Sequence, residues 1–147
     1  MNIIKCSGAI FYSLSTKRFL FLQKAEGKNS RVWGIVGGAN LSEESAWEGL
    51  KREINEEIGF LPDITKTIPL ETFVSNDELF HFYTYLCIVK DEFIPTLSKE
   101  HSGWAWSLID AAPKPLHSGL KNTLANKVNR LKLETVFEMI DLLDQRL

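Results

Sequence analysis

"GANLSEESAWEGLKREINEEIGF", residues 38–60, decides how the rest of the chain is read. Trp47, Leu50, Ile54 and Ile58 recur at i, i+3, i+7 and i+11, which draws one apolar stripe along a helix. The pattern predicts a helix over 43–58, with Ser42 as N-cap, Glu43 and Glu44 at its positive end and Gly59 as its stop. Glu53, Glu56 and Glu57 stand at i, i+3 and i+4 and share a face beside that stripe. Like charges so placed repel one another. A merely solubilising face would lie farthest from the core and alternate lysines with glutamates. A hard divalent cation accounts for the crowding, because Mg²⁺ takes oxygen ligands from a few carboxylates and from phosphates.

Around this helix the chain reads as short strands. Residues 3–14 and 18–24 are rich in β-branched and aromatic side chains and flank the polar turn "STK", which predicts a hairpin. "RVWGIVGG", residues 31–38, reads as a third strand closing on Gly37 and Gly38, where missing side chains let backbone approach a ligand. Further strands are expected near 67–75 and 79–89, then a polar loop over 90–103, a short strand "WAWSL" at 104–108 and a Pro-broken connection. Apolar residues at 120, 124, 128 and 131 predict a helix, and those at 133, 136, 137, 140, 143 and 147 a second or continuing one. The order predicts an α/β fold with a mixed sheet sandwiched between helices, and residues 1–147 as a single domain.

Composition narrows the function. The 147 residues are 44% hydrophobic and 24% charged, with a formal net charge of -2. That balance offers no basic footprint for duplex nucleic acid and no polybasic membrane anchor. The start, "MNIIKCSGAIFYSLSTKRF", places polar and charged residues at short intervals, unlike a signal peptide or membrane span. Cys6 and Cys87 are too few for a structural zinc site and read as buried thiols of a cytoplasmic protein.

Residues 38–60 resemble the Nudix box: Gly, five residues, Glu, seven residues, then Arg-Glu-aliphatic-x-Glu-Glu-x-Gly-aliphatic. Gly38, Glu44, Arg52, Glu53, Ile54, Glu56, Glu57 and Gly59 fall in register, and Phe60 stands where the pattern has an aliphatic residue. The resemblance implies a Nudix fold and a pyrophosphohydrolase acting on a nucleoside diphosphate linked to a moiety X, with Mg²⁺ or Mn²⁺. By the same resemblance Glu53, Glu56, Glu57 and the Gly38 carbonyl hold metal, and Arg52 orients the glutamates with Glu44 as its ion-pair partner. The general base is Glu53 within the box or a loop glutamate outside it. Glu100 in "LSKEHSGWAW" is the candidate for that second role or for a further metal ligand.

Other readings stand beside these. The acid cluster alone would also suit a solvated face or a calcium site, and the fold would also suit a nucleotide-binding module without catalysis. His81, His101 and His117 read as structural, with His101 singled out by its place after Glu100. Trp33, Phe80, Phe82, Trp104 and Trp106 read mainly as core, but Trp33 precedes the glycine pair and, with Gly37 and Gly38, is a candidate substrate contact. Substrate markers are weak, since Pro62 and Pro69 fall early and Tyr83 late for the dinucleoside-polyphosphate and ADP-ribose patterns. The compact chain favours a nucleoside triphosphate or similar small nucleotide over a nucleotide sugar, ADP-ribose or dinucleoside polyphosphate. RNA-cap removal is disfavoured by the lack of basic charge. The resemblance is compatible with a homodimer.

Overall fold

The computed structural model describes residues 2–25, 27 and 31–145. Within them the chain divides into two compact units, Met1–His117 and Ser118–Leu147. The first is a seven-stranded mixed sheet with a helix on it. Its central strand β1 (Ile4–Ser13) runs parallel to β6 (Phe80–Val89), which pairs antiparallel with β5 (Ile64–Val74) at the edge. On its other side β1 meets β4 (Val36–Ala39) and then β2 (Phe19–Lys24), both antiparallel. β2 also pairs with β3 (Trp33–Gly34) and with β7 (His101–Ser107). The α/β class and the mixed sheet are as expected from sequence.

Four local expectations are corrected. "RVWGIVGG" is two strands: β3 bonds to β2, and β4 crosses to β1. Helix α1 spans Ala46–Ile58, and its N-cap is Ser45, whose hydroxyl accepts from the Glu48 N–H at 3.1 Å. Ser42 and Glu43 belong to the preceding turn, where Glu43 takes φ 76°, so the acids at 43 and 44 are not in the first helical turn. β7 begins at His101 instead of Trp104, because backbone pairing with β2 carries a strand into a segment whose side chains read as loop.

α1 lies on the sheet through the predicted stripe. Leu50, Ile54 and Ile58 are buried against Ala9, Phe11, Leu20, Leu22 and Val36, with Trp47 packed at the margin. Burying each such side chain is worth about 1.5–3 kcal/mol. The end of α1 near β1 is fixed by polar groups: the buried Ser7 hydroxyl bonds the Asn40 side chain at 3.1 Å and the Ala46 carbonyl at 3.0 Å. Its other end is fixed by the segment after β6. Gly59 takes the left-handed C-cap conformation at φ 86°, and the Thr96 N–H donates to the Ile58 carbonyl at 2.9 Å. Phe93 stands edge-on to Phe60, Phe11 and Trp106 and accepts the Trp106 indole N–H on its carbonyl. The Phe that departs from the box pattern therefore fills the apolar role with a ring. Cys6 and Cys87 are free thiols, and burial pushes the Cys87 thiol up to about 12.

The second unit holds α2 (Ser118–Ala125) and α3 (Lys127–Gln145). Asn126 breaks them apart and caps α3, its side-chain oxygen accepting from the Val128 and Asn129 N–H groups. The break shifts the helical phase, so Leu120, Leu124 and Leu133 are buried while Val128 and Leu131 are 62% and 64% exposed. The stripe predicted through 128 and 131 is thus corrected. The last position of the second stripe, Leu147, lies outside the described residues. No helix among the described residues is long and apolar enough to cross a membrane.

Candidate active site

The polar face of α1 looks onto β4 and onto the residues that open β7. Gly37 lies against β1 so closely that a Cβ there would strike the Ser7 carbonyl oxygen and approach the Gly8 Cα to 2.8 Å. This contact holds the Gly37 N–H where it donates to Glu57 Oε1 at 2.6 Å. A Cβ on Gly38 would stand 2.7 Å from the Glu53 carboxyl carbon. The glycine pair therefore makes room for the sheet on one side and for a carboxylate on the other.

The three glutamates share a helix face but not a depth. Glu57 is buried, Glu53 is mostly covered, and the Glu56 side chain is 57% exposed. Arg52 binds this group together. Its Nε and one terminal nitrogen fork onto Glu44 at 2.9 and 3.1 Å, and the same terminal nitrogen donates to the Ala39 carbonyl at 3.0 Å. The other terminal nitrogen reaches Glu53 at 3.1 Å and Glu56 at 3.3 Å. The expected Arg52–Glu44 pair is present, and the hydrogen bond from Arg52 holds Glu44 below the ordinary carboxylate range. Glu44 also accepts from the Leu41 N–H at 2.6 Å, which closes the turn before the helix.

Deeper in the site the electrostatics reverse. Burial, opposed by the Gly37 N–H and reinforced by Glu53, Glu100 and Glu56, pushes Glu57 up to about 8. Burial also raises Glu53, against the pull of Arg52. Glu100, at the end of the anchored 90–100 segment, is tied by its own backbone: its carbonyl accepts from Ala25 and its N–H donates to the Ser98 hydroxyl. Its carboxylate, a Glu57 oxygen and a ring nitrogen of His101 lie within 4.8 Å of one another. His101 Nδ1 stands 3.7 Å from Glu57 Oε2, buried and without a hydrogen-bond partner among the described residues. Burial lowers the His101 pKa, which favours the neutral ring. A partly buried site that gathers carboxylates and a neutral imidazole is suited to a divalent ion.

Residues 7–127 match the NUDIX domain family. The chain belongs to that family. A stretch of 64 residues, 42% of the chain, is 31% identical to Nudix hydrolase 7 of Arabidopsis thaliana and spans 23% of that protein. A C. elegans Ap4A hydrolase solved as a binary complex superposes with a TM-score of 0.67 at 21% identity, covering 90% of this chain and 99% of that one. The NUDIX domain of Shewanella oneidensis NrtR, solved with ADP-ribose, gives 0.68 at 17% identity, covering 90% of each. At these identities the structural likeness establishes the Nudix fold.

Nudix hydrolases use a divalent metal, and the residues here fit one: covered carboxylates, an orphaned ring nitrogen and the clearance at Gly38 converge on the inner face of α1. The remaining sequence candidates are spread more widely. Glu53 and Glu56 both lie outside the tight Glu57–Glu100–His101 group and are held by Arg52. Trp33 is partly buried, with its ring edge 3.7 Å from the position of a Gly103 Cβ. Trp106 is core, as expected, and His81 bonds the Glu78 carbonyl at 3.0 Å. His101 is the residue that sequence reasoning undervalued, and its one signal was adjacency to Glu100.

Proposed function

We propose that the chain hydrolyses the pyrophosphate bond of a nucleoside diphosphate linked to a moiety X, with Mg²⁺ or Mn²⁺, and that X is small, as in a nucleoside triphosphate. The observation that carries this reading is the buried Glu57 carboxyl, which accepts the Gly37 N–H at 2.6 Å and shares one helix face with Glu53 and Glu56. Glu53, Glu56 and Glu57 crowd towards the C-terminal end of α1, whose last turn holds no basic residue. They oppose both each other and the negative end of the helix. A bound cation offsets both penalties. When bound, it neutralises charge developing on the phosphoryl oxygens.

The chain's own residues have distinct parts in this reading. Glu53, Glu56, Glu57, Glu100 and the Gly38 carbonyl hold the metal, and Arg52 keeps Glu53 and Glu56 aimed by anchoring on Glu44 and Ala39. The base that takes the proton from water is Glu53 or Glu100. Glu53 has support from its burial, which moves its proton affinity towards neutral pH. Gly37 and Trp33 border the substrate. Residues 1–147 act as one domain, a reading supported by the family match continuing past His117. We place the protein in the cytoplasm, in keeping with its two free thiols, and a homodimer is compatible with this reading.

The test is a screen of nucleoside triphosphates, nucleotide sugars, ADP-ribose and dinucleoside polyphosphates with Mg²⁺ or Mn²⁺, reading phosphate and pyrophosphate release. Metal-dependent turnover that Glu57→Gln abolishes supports the reading. Tight nucleotide binding with no turnover on any substrate points instead to a nucleotide-binding module. A preference for ADP-ribose or Ap4A, the ligand and the substrate named for the two superposed structures, would move X to a larger group.

A further inference from the structure

We propose that His101 Nδ1 is a nitrogen ligand of the divalent ion held by Glu57 and Glu100, and that it tilts the site towards Mn²⁺ over Mg²⁺. The proposal rests on the reading that the α1 glutamates hold a metal. Among the described residues Nδ1 has no hydrogen-bond partner; its side chain is only 11% exposed, and Glu57 Oε2 stands 3.7 Å away. At that separation no hydrogen bond forms, whichever partner carries the proton. An unsatisfied buried group of this kind opposes folding. The separation falls between the two spacings that donors sharing one octahedral ion adopt. Donors each about 2.1 Å from a common octahedral centre lie about 3 Å apart when adjacent and about 4.2 Å when opposite. A Glu100 carboxylate oxygen completes the set, lying with a Glu57 oxygen and a ring nitrogen of His101 within 4.8 Å of one another.

The fold takes particular care to put His101 there. β7 pairs regularly with β2 from Ser107 to Gly103, opposite Phe19 to Gln23. The register then slips, so that Lys24 faces His101 where unbroken pairing would bring Ser102. A bulge at the end of a strand re-aims side chains, and bulges concentrate beside active sites. Both sides of the slip are bonded: the Ala25 N–H donates to the Glu100 carbonyl at 2.8 Å and the His101 N–H to the Ser98 carbonyl at 3.3 Å. His101 is thus delivered with Glu100 on one anchored segment, facing Glu57 on the helix. Mg²⁺ prefers oxygen donors and sheds water reluctantly, whereas imidazole nitrogen suits first-row transition ions. One nitrogen among carboxylates is therefore a selectivity element.

The experiment uses the full-length protein and Mn²⁺ alone, without nucleotide. Electron spin-echo modulation of bound Mn²⁺ is expected to show a directly coordinated ¹⁴N in wild type, absent in His101→Gln. In the same variant Mn²⁺ affinity is expected to fall about tenfold or more, by analogy with disrupted metal sites. Mg²⁺ affinity, read by competition against Mn²⁺, should fall by less than about threefold, since that ion gains little from nitrogen. His101→Ala serves as a second variant, with circular dichroism to establish folding of both. Stoichiometric Mn²⁺ uptake by wild type with no nitrogen coupling overturns the His101 ligand while leaving the glutamate site standing. Coupling that persists in His101→Gln overturns it equally. Failure of wild type to take up Mn²⁺ sinks the metal reading of the glutamates, and this ligand with it.

Discussion

Replacing Glu57 by Gln should stabilise the metal-free protein while destroying its activity. Burial pushes the Glu57 carboxyl of the folded chain up to about 8, from an ordinary 4.5. Between those values the folded protein holds a proton that the unfolded chain has released. Stability therefore falls as pH rises from about 4.5 to about 8 and is level above that. The gap sets a ceiling of about 5 kcal/mol, at about 1.4 kcal/mol per factor of ten in proton affinity. Gln removes the ionisation and keeps an oxygen to accept the Gly37 N–H, so little structure is lost. Local relaxation and water entry reduce the ceiling, and the expected gain in EDTA at a pH of about 8.5 is about 2–4 kcal/mol. At a pH of about 4.5 the gain should shrink to about 0.5 kcal/mol, because Glu57 is then protonated in the folded state. Urea unfolding followed by tryptophan fluorescence reads both values as shifts in midpoint. Turnover of the same variant should drop by several powers of ten. A variant that is no more stable than wild type in the alkaline buffer, or whose advantage persists unchanged in the acidic one, refutes the reasoning.

Other substitutions separate the scaffold from the site. Gly38→Ala pushes a Cβ to 2.7 Å from the movable Glu53 carboxyl, so thermal unfolding should barely change while turnover falls at least about tenfold. Gly37→Ala meets backbone instead, and denaturation should show a loss of about 2–4 kcal/mol. Arg52→Lys keeps the charge but loses the fork on Glu44 and the reach to Ala39; kcat should fall about tenfold or more with nucleotide affinity little altered. Ile54→Ala opens a cavity under α1 and should cost about 2–5 kcal/mol in chemical denaturation.

The helix, its apolar stripe and the glutamate register were legible because each is a local pattern repeated over a few turns. Leu50, Ile54 and Ile58 announce their burial by spacing alone, and the box fixes Arg52 against Glu44 eight residues earlier. The cap at Ser45 was missed because Ser42 and Ser45, with two glutamates between them, offer equivalent acceptors. Choosing between them required knowing that Glu43 turns to positive φ. The split at Ile35 was illegible for a different reason. β3 and β4 take different partners, and strand pairing is a tertiary fact that no run of side chains encodes. His101 was undervalued for the same reason, since its place beside Glu57 comes from a register slip against β2.

The segment between β6 and β7 binds these observations into one argument about how the site is built. By composition it is a polar loop, yet Phe93 is packed among Phe11, Phe60 and Trp106, and Thr96 is bonded to the last turn of α1. Gly59 must lack a side chain there, since a Cβ would come 2.8 Å from that of Thr96. The residues that end the helix are thus the ones that seat the loop, and the loop carries Glu100 and His101 to the face where Glu57 waits. Such anchoring matters because bringing further acids near Glu57 sets like charges against one another. Only a rigid support keeps those groups from relaxing outward into water. The stability that the aromatic cluster contributes is opposed by repulsion among the acids, and in the proposed reading a bound cation would offset that repulsion.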